Sequence, residues 1–232
     1  MFAVVTGGSS RTGFEIVKHL LKKEYTVITN FYSNSSNLDK LKIEFPDTLQ
    51  FKKFDLSKID NVSTFANFVK SFSTNIDLII NTFGDYINKN LSSCNSNDLT
   101  YMLNTNLVYV EYLTKEFIHI FNKNGGSIIN FGYSHGDKIV ADTQTTFYHI
   151  AKMGLILLTK AYAKSLGDKN ININIISPGV LENSIVVPDD IKNTIPMNRL
   201  GSFRDIITTI DYLIANRYTS GNNIIVSGGY NI

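Results

Sequence analysis

The chain has no tryptophan, one cysteine and four prolines in 232 residues. A single cysteine, Cys94, excludes an internal disulfide framework and points to a reducing compartment. No apolar run approaches the ~20 residues that a membrane-spanning helix needs. Nor does a charged segment followed by an apolar stretch precede Phe2-Ala3-Val4-Val5, so a cytoplasmic location without a signal peptide is expected. Charge is balanced, with 22 Lys+Arg against 20 Asp+Glu. No basic block exists, so nucleic-acid binding has no electrostatic footprint. The four histidines (His19, His119, His135 and His149) lack ligand spacing, and no metal is expected. Asparagine, by contrast, is in excess at 26 residues. These asparagines are spread among apolar residues, which favours a folded chain over a low-complexity tract. They read as a compositional bias, and the glycosylation-type triplets at Asn34, Asn61 and Asn90 read as chance.

Short apolar runs alternate with longer amphipathic stretches. Strands are predicted at Met1–Val5, Tyr25–Asn30, Leu49–Asp55, Ile76–Asn81, Ser127–Phe131, Ile171–Ile176 and Asn223–Ser227. Helices are predicted at Gly13–Lys23, at Ser36–Phe45 before Pro46, through Phe65, Phe68, Val69 and Phe72, and at Asp98–Phe121, Thr146–Leu166 and Phe203–Ala215. About seven strands with intervening helices imply an α/β fold. The expected architecture is a single-domain Rossmann-type, doubly wound parallel sheet with helices on both faces, spanning 1–232.

Two motifs carry chemistry. The turn Thr6-Gly7-Gly8-Ser9-Ser10-Arg11-Thr12-Gly13 follows a predicted strand and opens a helix, the context of a dinucleotide fingerprint. Gly7 suits a tight turn, Gly13 suits close packing, and the helix N-terminus can hold a pyrophosphate. Farther on, Tyr148 and Lys152 stand at i and i+4, on one helix face. A cation there is expected to lower the pKa of the tyrosine, making it a proton donor and acceptor near neutral pH.

With these residues the chain resembles the short-chain dehydrogenase/reductase family over essentially its whole length. Asp55-Leu56 resembles that family's adenine-contacting position. Asn81-Thr82-Phe83-Gly84 resembles a variant of its Asn-Asn-Ala-Gly segment, and Asn106 falls at its long-helix asparagine. Ser177-Pro178-Gly179 resembles the segment beside the nicotinamide. Arg199-Leu200-Gly201 and Gly228-Gly229 are similar to segments of 3-oxoacyl-acyl-carrier-protein reductases. The resemblance implies hydride transfer from a nicotinamide to a carbonyl carbon, with Tyr148 protonating the oxygen. Lys152 would hold the nicotinamide ribose, and Asn106 a water linking Lys152 to solvent. It further implies a homotetramer or dimer through the helices at Asp98–Phe121 and Thr146–Leu166. Tyr109, Tyr112 and Phe117 suit either that face or the core.

Three positions depart from the family pattern. Arg11 replaces a glycine in the first turn, a feature shared with pteridine reductases of the family. Phe83 replaces a small residue, either beside the cofactor or as core filling. The catalytic serine is displaced, so that Tyr133 falls in its slot. Ser134, Tyr133 and His135 remain candidates for binding the developing oxyanion. The second strand ends in Thr29-Asn30-Phe31-Tyr32-Ser33-Asn34, with no acid to bind a ribose 2′-hydroxyl. NADP(H) is therefore expected, with Asn30, Ser33 and Asn34 as phosphate contacts. Residues 180–197, including Glu182, Pro188 and Pro196, should form a substrate lid. The leading expectation is an NADPH-dependent reductase of a small or carrier-bound carbonyl, similar to 3-oxoacyl reductases of fatty acid biosynthesis. A pteridine or dihydrofolate-type reductase and a weakly catalytic NADP-binding redox sensor are the alternatives.

Overall fold

The computed structural model describes residues 1–9, 11–184, 187 and 190–230. The short apolar runs become strands β1 (Phe2–Thr6), β2 (Thr26–Phe31), β3 (Leu49–Lys53), β4 (Leu78–Asn81), β5 (Gly126–Phe131), β6 (Ile171–Pro178) and β7 (Asn223–Val226). All six neighbouring pairs are parallel, in the order β3-β2-β1-β4-β5-β6-β7. The order reverses between β1 and β4. A crevice for ligand therefore opens beyond their carboxyl ends, where Thr6 pairs with Asn81.

Helices cover both faces of this sheet. They are α1 (Arg11–Lys22), α2 (Ser36–Glu44), α3 (Ile59–Lys70), α4 (Ser96–Leu103), α5 (Tyr109–Phe117), α6 (Thr146–Ser165), α7 (Ile191–Thr194) and α8 (Phe203–Ala215). Successive strand residues point to opposite faces, and two cores result. Val4, Ile28, Ile79 and Ile128 pack with Phe65, Leu113 and Leu155 of α3, α5 and α6. Val5, Val27, Ile80 and Ile129 pack with Ile16 and Leu20 of α1 and Ile206 and Ile210 of α8. A parallel sheet covered on both sides has no wet face, which is why β1 and β4 are apolar without alternation.

One expectation is corrected here. The helix anticipated at Asp98–Phe121 is interrupted by a π turn at Asn104–Val108, and its last α-helical residue is Phe117. Tyr109 and Phe117 are fully buried in the chain's own core, the second of the two roles open to them. Strand β6 alternates Ile and Asn, yet it is buried along almost its whole length. Its asparagines are satisfied internally. Asn172 accepts from Ser127 Oγ at 2.7 Å, and Asn174 donates to the Thr219 carbonyl at 2.7 Å. They pin β6 to β5 and to the turn preceding β7, so these two buried amides are satisfied within the fold.

Candidate active site

The first turn is built by backbone hydrogen bonding. Gly7 N–H donates to Asn30 Oδ1 at 2.9 Å, and Gly8 N–H donates to Thr29 Oγ1 at 3.1 Å. Thr82 Oγ1 donates to the Thr6 carbonyl, and Phe83 N–H donates to Thr6 Oγ1 at 3.1 Å. The turn after β1 is thus clipped to the ends of β2 and β4. A Cβ on Gly13 would lie 2.3 Å from the Gly7 carbonyl oxygen, so only glycine lets α1 start this close. Arg11 adopts φ 51°, a left-handed conformation costly for a non-glycine residue and concentrated at functional turns. Ser10 lies outside the described residues.

A groove of about 280 Å³ runs from this turn along the switch point, with Ser9, Arg11, Thr12, Ser33, Thr82 and Gly84 on its wall. Tyr32 and Phe54 complete its far end. Four of the anticipated cofactor contacts have side chains committed within the chain. Asn30 lines the groove but is largely buried, and its amide is committed to Gly7 N–H and the Phe54 carbonyl, so it braces the turn. Leu56 is a core side chain. Asp55 accepts from Ser57 N–H at 3.1 Å and from Ser57 Oγ at 2.6 Å, leaving the groove wall at that level to Phe54. Asn81 is also buried; its Nδ2 donates to Asn130 Oδ1 at 2.8 Å, and Asn130 donates to Thr159 Oγ1 at 3.0 Å. That chain ties β4, β5 and α6 together. Phe83 stands between the groove and the core. Its side of the chain lines the groove, and its ring packs on Tyr109 with centroids 5.1 Å apart.

The groove continues into a cavity of about 490 Å³. Tyr148, on α6, faces it, and Lys152 lies one turn farther along the same helix. Lys152 Nζ is 5.5 Å from the Tyr148 ring centroid and donates to the Phe131 carbonyl at 2.7 Å. Burial pushes the ammonium down to about 7. Burial also raises the Tyr148 hydroxyl well above its ordinary value, with Tyr133 and Tyr86 acting in the same direction. This corrects the expectation that Lys152 lowers it, because desolvation of a phenolate outweighs a cation that is itself desolvated.

Asn106 occupies the π turn, the kind of wide turn that recurs at functional sites. Its Nδ2 donates to the Met102 and Asp85 carbonyls at 3.1 and 3.0 Å, while its buried Oδ1 has no partner. A Cβ on Gly84 would lie 2.8 Å from that oxygen and 3.5 Å from Lys152 Nζ. Gly84 is therefore the point at which the asparagine, the lysine and the nucleotide groove meet. An unpartnered acceptor beside a cleared cradle fits a polar ligand there.

Tyr133, Ser134 and His135, the three candidates for the displaced serine, all line the cavity. Ser134 is buried. The Tyr133 ring stands edge-on to Tyr148 at 5.4 Å, and burial pushes its hydroxyl up to about 12. Pro178 and Gly179 continue the wall, followed by Val180, Leu181 and Ile191 from the anticipated lid. Pro188 of that lid lies outside the described residues. Three lining residues escaped the sequence reading, Tyr86, Asn88 and Tyr230. None sits in a periodic pattern. Only their positions, just past Gly84 and Gly229, could have signalled them.

A family model described as enoyl-(acyl carrier protein) reductase matches residues 9–231. The chain belongs to this family of short-chain dehydrogenases/reductases. Among its curated relatives, carbonyl reductase family member 4 of Xenopus laevis is 26% identical over 97% of this chain and 95% of its own length. The 3-oxoacyl-[acyl-carrier-protein] reductase of Chlamydia trachomatis is 29% identical over 98% and 96%. A short-chain dehydrogenase/reductase from Serratia marcescens superposes with TM-score 0.90 at 24% identity, covering 100% of this chain and 98% of that one. A blue fluorescent protein from a metagenomic library, solved in complex with NADPH, superposes with TM-score 0.91 at 21% identity over the same shares. These last two speak to the fold alone. The chain is an oxidoreductase of a family that uses nicotinamide cofactors, and no helix among the described residues is long and apolar enough to cross a membrane.

Proposed function

We propose that this chain is an NADPH-dependent carbonyl reductase acting on 3-oxoacyl thioesters. The observation that carries this reading is the convergence of Tyr148, Lys152 and Asn106 at the end of the switch-point groove, around Gly84. When bound, the nucleotide supplies a hydride. Everything else falls to the chain. Tyr148, kept protonated by burial, donates its hydroxyl proton to the carbonyl oxygen. Lys152 and the Oδ1 of Asn106 hold the ribose side of the groove and the route by which Tyr148 is reprotonated. Ser134 or Tyr133 donates a hydrogen bond to the oxygen as charge develops on it. Thr12 and the start of α1 bind the pyrophosphate, with Thr6, Gly7 and Ser9 shaping the turn.

Several features support the phosphorylated nucleotide. β2 ends without a carboxylate, and Ser33 and Arg11 face the groove. Lys53, paired with Phe31 in register, places its ammonium 5.8 Å from the Tyr32 ring at the same end. Curated relatives named as 3-oxoacyl reductases support the thioester substrate. A homo-oligomer built on α4–α6 and a cytoplasmic location belong to the same reading. The test is NADPH oxidation with an acetoacetyl thioester, measured for wild type and Tyr148→Phe. Turnover that survives in Tyr148→Phe at the wild-type rate removes the tyrosine from the mechanism.

A further inference from the structure

The cavity in front of Tyr148 is walled by rings drawn from four separate stretches of chain. Tyr86 follows β4, Tyr133 and His135 follow β5, Tyr148 lies on α6, and Tyr230 follows β7. They form a continuous series of ring contacts. Tyr86 meets Tyr148 at 5.0 Å and 86°, and Tyr148 meets Tyr133 at 5.4 Å and 65°. Tyr133 meets His135 at 5.2 Å, and His135 meets Tyr230 at 5.9 Å. Tyr230 is delivered by a tight turn in which Gly228 and Gly229 take φ 65° and 86°, closed by Tyr230 N–H donating to the Ser227 carbonyl at 3.1 Å. Five rings on one wall are more than a hydride-transfer site needs, since one tyrosine suffices as the acid.

The chemistry of this wall selects an occupant. No carboxylate is among the described residues lining the cavity, and Arg11 stands at its mouth. A cationic guest would have ring faces to rest on but no counter-charge. A linear alkyl chain gains contact area from any apolar wall, aromatic or not. Only another π system gains the additional edge-to-face and offset-stacking attraction. The lid side, with Val180, Leu181 and Ile191, is aliphatic and adds area without that specificity.

We infer that the preferred substrate carries its ketone conjugated to a flat aromatic ring, as in a 3-aryl-3-oxoacyl thioester, and that Tyr86 and Tyr230 determine this preference. The inference rests on the carbonyl-reductase reading above and narrows it. The chemical balance is unchanged: the carbonyl π bond breaks, a C–H bond forms with the hydride, and the O–H bond forms with the proton of Tyr148. The nucleotide is oxidised by two electrons as the ketone becomes a secondary alcohol.

The test compares two N-acetylcysteamine thioesters that differ only in the group on the ketone, benzoylacetyl and acetoacetyl. kcat and KM are measured with NADPH for wild type, Tyr86→Leu and Tyr230→Leu, with melting temperature as the control for folding. The leucine variants keep apolar bulk and remove the ring. Wild type is expected to favour the benzoylacetyl thioester by about tenfold in kcat/KM, despite the lower electrophilicity of an aryl ketone. Each leucine variant should lower that ratio several-fold, chiefly through KM. Calorimetric titration of the two alcohol products in the presence of NADP⁺ should show the same preference in Kd without turnover. Reduction of acetoacetyl thioester with no preference for the aryl ketone in wild type overturns this inference and leaves the reductase reading intact. A ratio unchanged in both variants overturns the assignment to Tyr86 and Tyr230. Failure of both thioesters to oxidise NADPH, with neither product binding, overturns both readings together.

Discussion

Tyr148, Lys152 and Gly84 bear most of the chemistry at the residue scale. Tyr148→Phe removes the proton donor while leaving the ring packing against Tyr86 and Tyr133, so kcat should fall by roughly 10²–10⁴ with little change in melting temperature. Steady-state NADPH oxidation checks it. Gly84→Ala would press a methyl against Asn106 Oδ1, whose amide is fixed by its Nδ2 on the Met102 and Asp85 carbonyls. Fluorescence titration should show nucleotide binding weakened, while circular dichroism remains that of the wild type. Lys152 gives a pH prediction. Its folded pKa is depressed by burial, to about 7 against an ordinary value near 10.5. Between those values the unfolded chain holds a proton that the folded chain lacks, so this residue costs stability that is regained as pH rises. In the absence of nucleotide, Lys152→Met should melt higher than wild type at pH 7, and the gap should narrow toward pH 10. A gap that stays constant across that range would overturn the assignment to titration of the buried ammonium.

At the scale of the element, helix starts and the π turn set the geometry. Helix α8 begins with a capping box, in which Ser202 Oγ accepts from Asp205 N–H and Asp205 accepts from Ser202 N–H at 2.7 Å. Arg199 binds the same carboxylate in a two-pronged pair at 2.7 and 2.9 Å. Ser202→Ala should cost about 1 kcal/mol in urea unfolding. The Asp205 carboxyl is held well below the ordinary carboxylate range, first by Arg199 and next by the Ser202 N–H. A depressed acid stabilises fully above its unfolded pKa, about 4, and loses that contribution as pH falls. The melting difference between wild type and Asp205→Asn should therefore shrink below pH 4. The π turn at Asn104–Val108 was beyond sequence reading, because its residues continue the apolar spacing of an ordinary helix. The extra residue per turn became necessary only when Asn106 had to reach Gly84 while Tyr109 stayed in the core.

For the whole molecule, the switch point between β1 and β4 unites segments far apart in sequence, and nucleotide binding should stabilise all of them at once. At a concentration 100-fold above Kd, the gain is about 2.7 kcal/mol, or roughly 5–10 °C in melting temperature for a chain of this size. NADPH should give a larger shift than NADH at equal concentration, and the reverse order would contradict the reading of Ser33, Arg11 and Lys53. Strand number, helix placement and the Tyr148–Lys152 pair were legible from spacing, because β strands and helices impose periods of 2 and 3.6 on apolar residues. The fates of individual asparagines were not. Asn30, Asn81, Asn106, Asn130, Asn172 and Asn174 are all buried, and which of them braces a turn, a strand or a site depends on neighbours 20 or more residues away.

The sequence by itself determined that two-sided apolar runs would pair in parallel, that a glycine-rich turn would open α1, and that Tyr148 and Lys152 would share a helix face. These follow from local periodicity and backbone sterics. Tertiary structure alone decided that Asn30 braces the first turn at the groove wall while Asp55 and Leu56 stand outside that wall, that Asn106 and Lys152 meet at Gly84, and that Tyr86 and Tyr230 join Tyr148 in one ring-lined wall. Those are long-range contacts between loops at the carboxyl ends of the strands, and no local period encodes them.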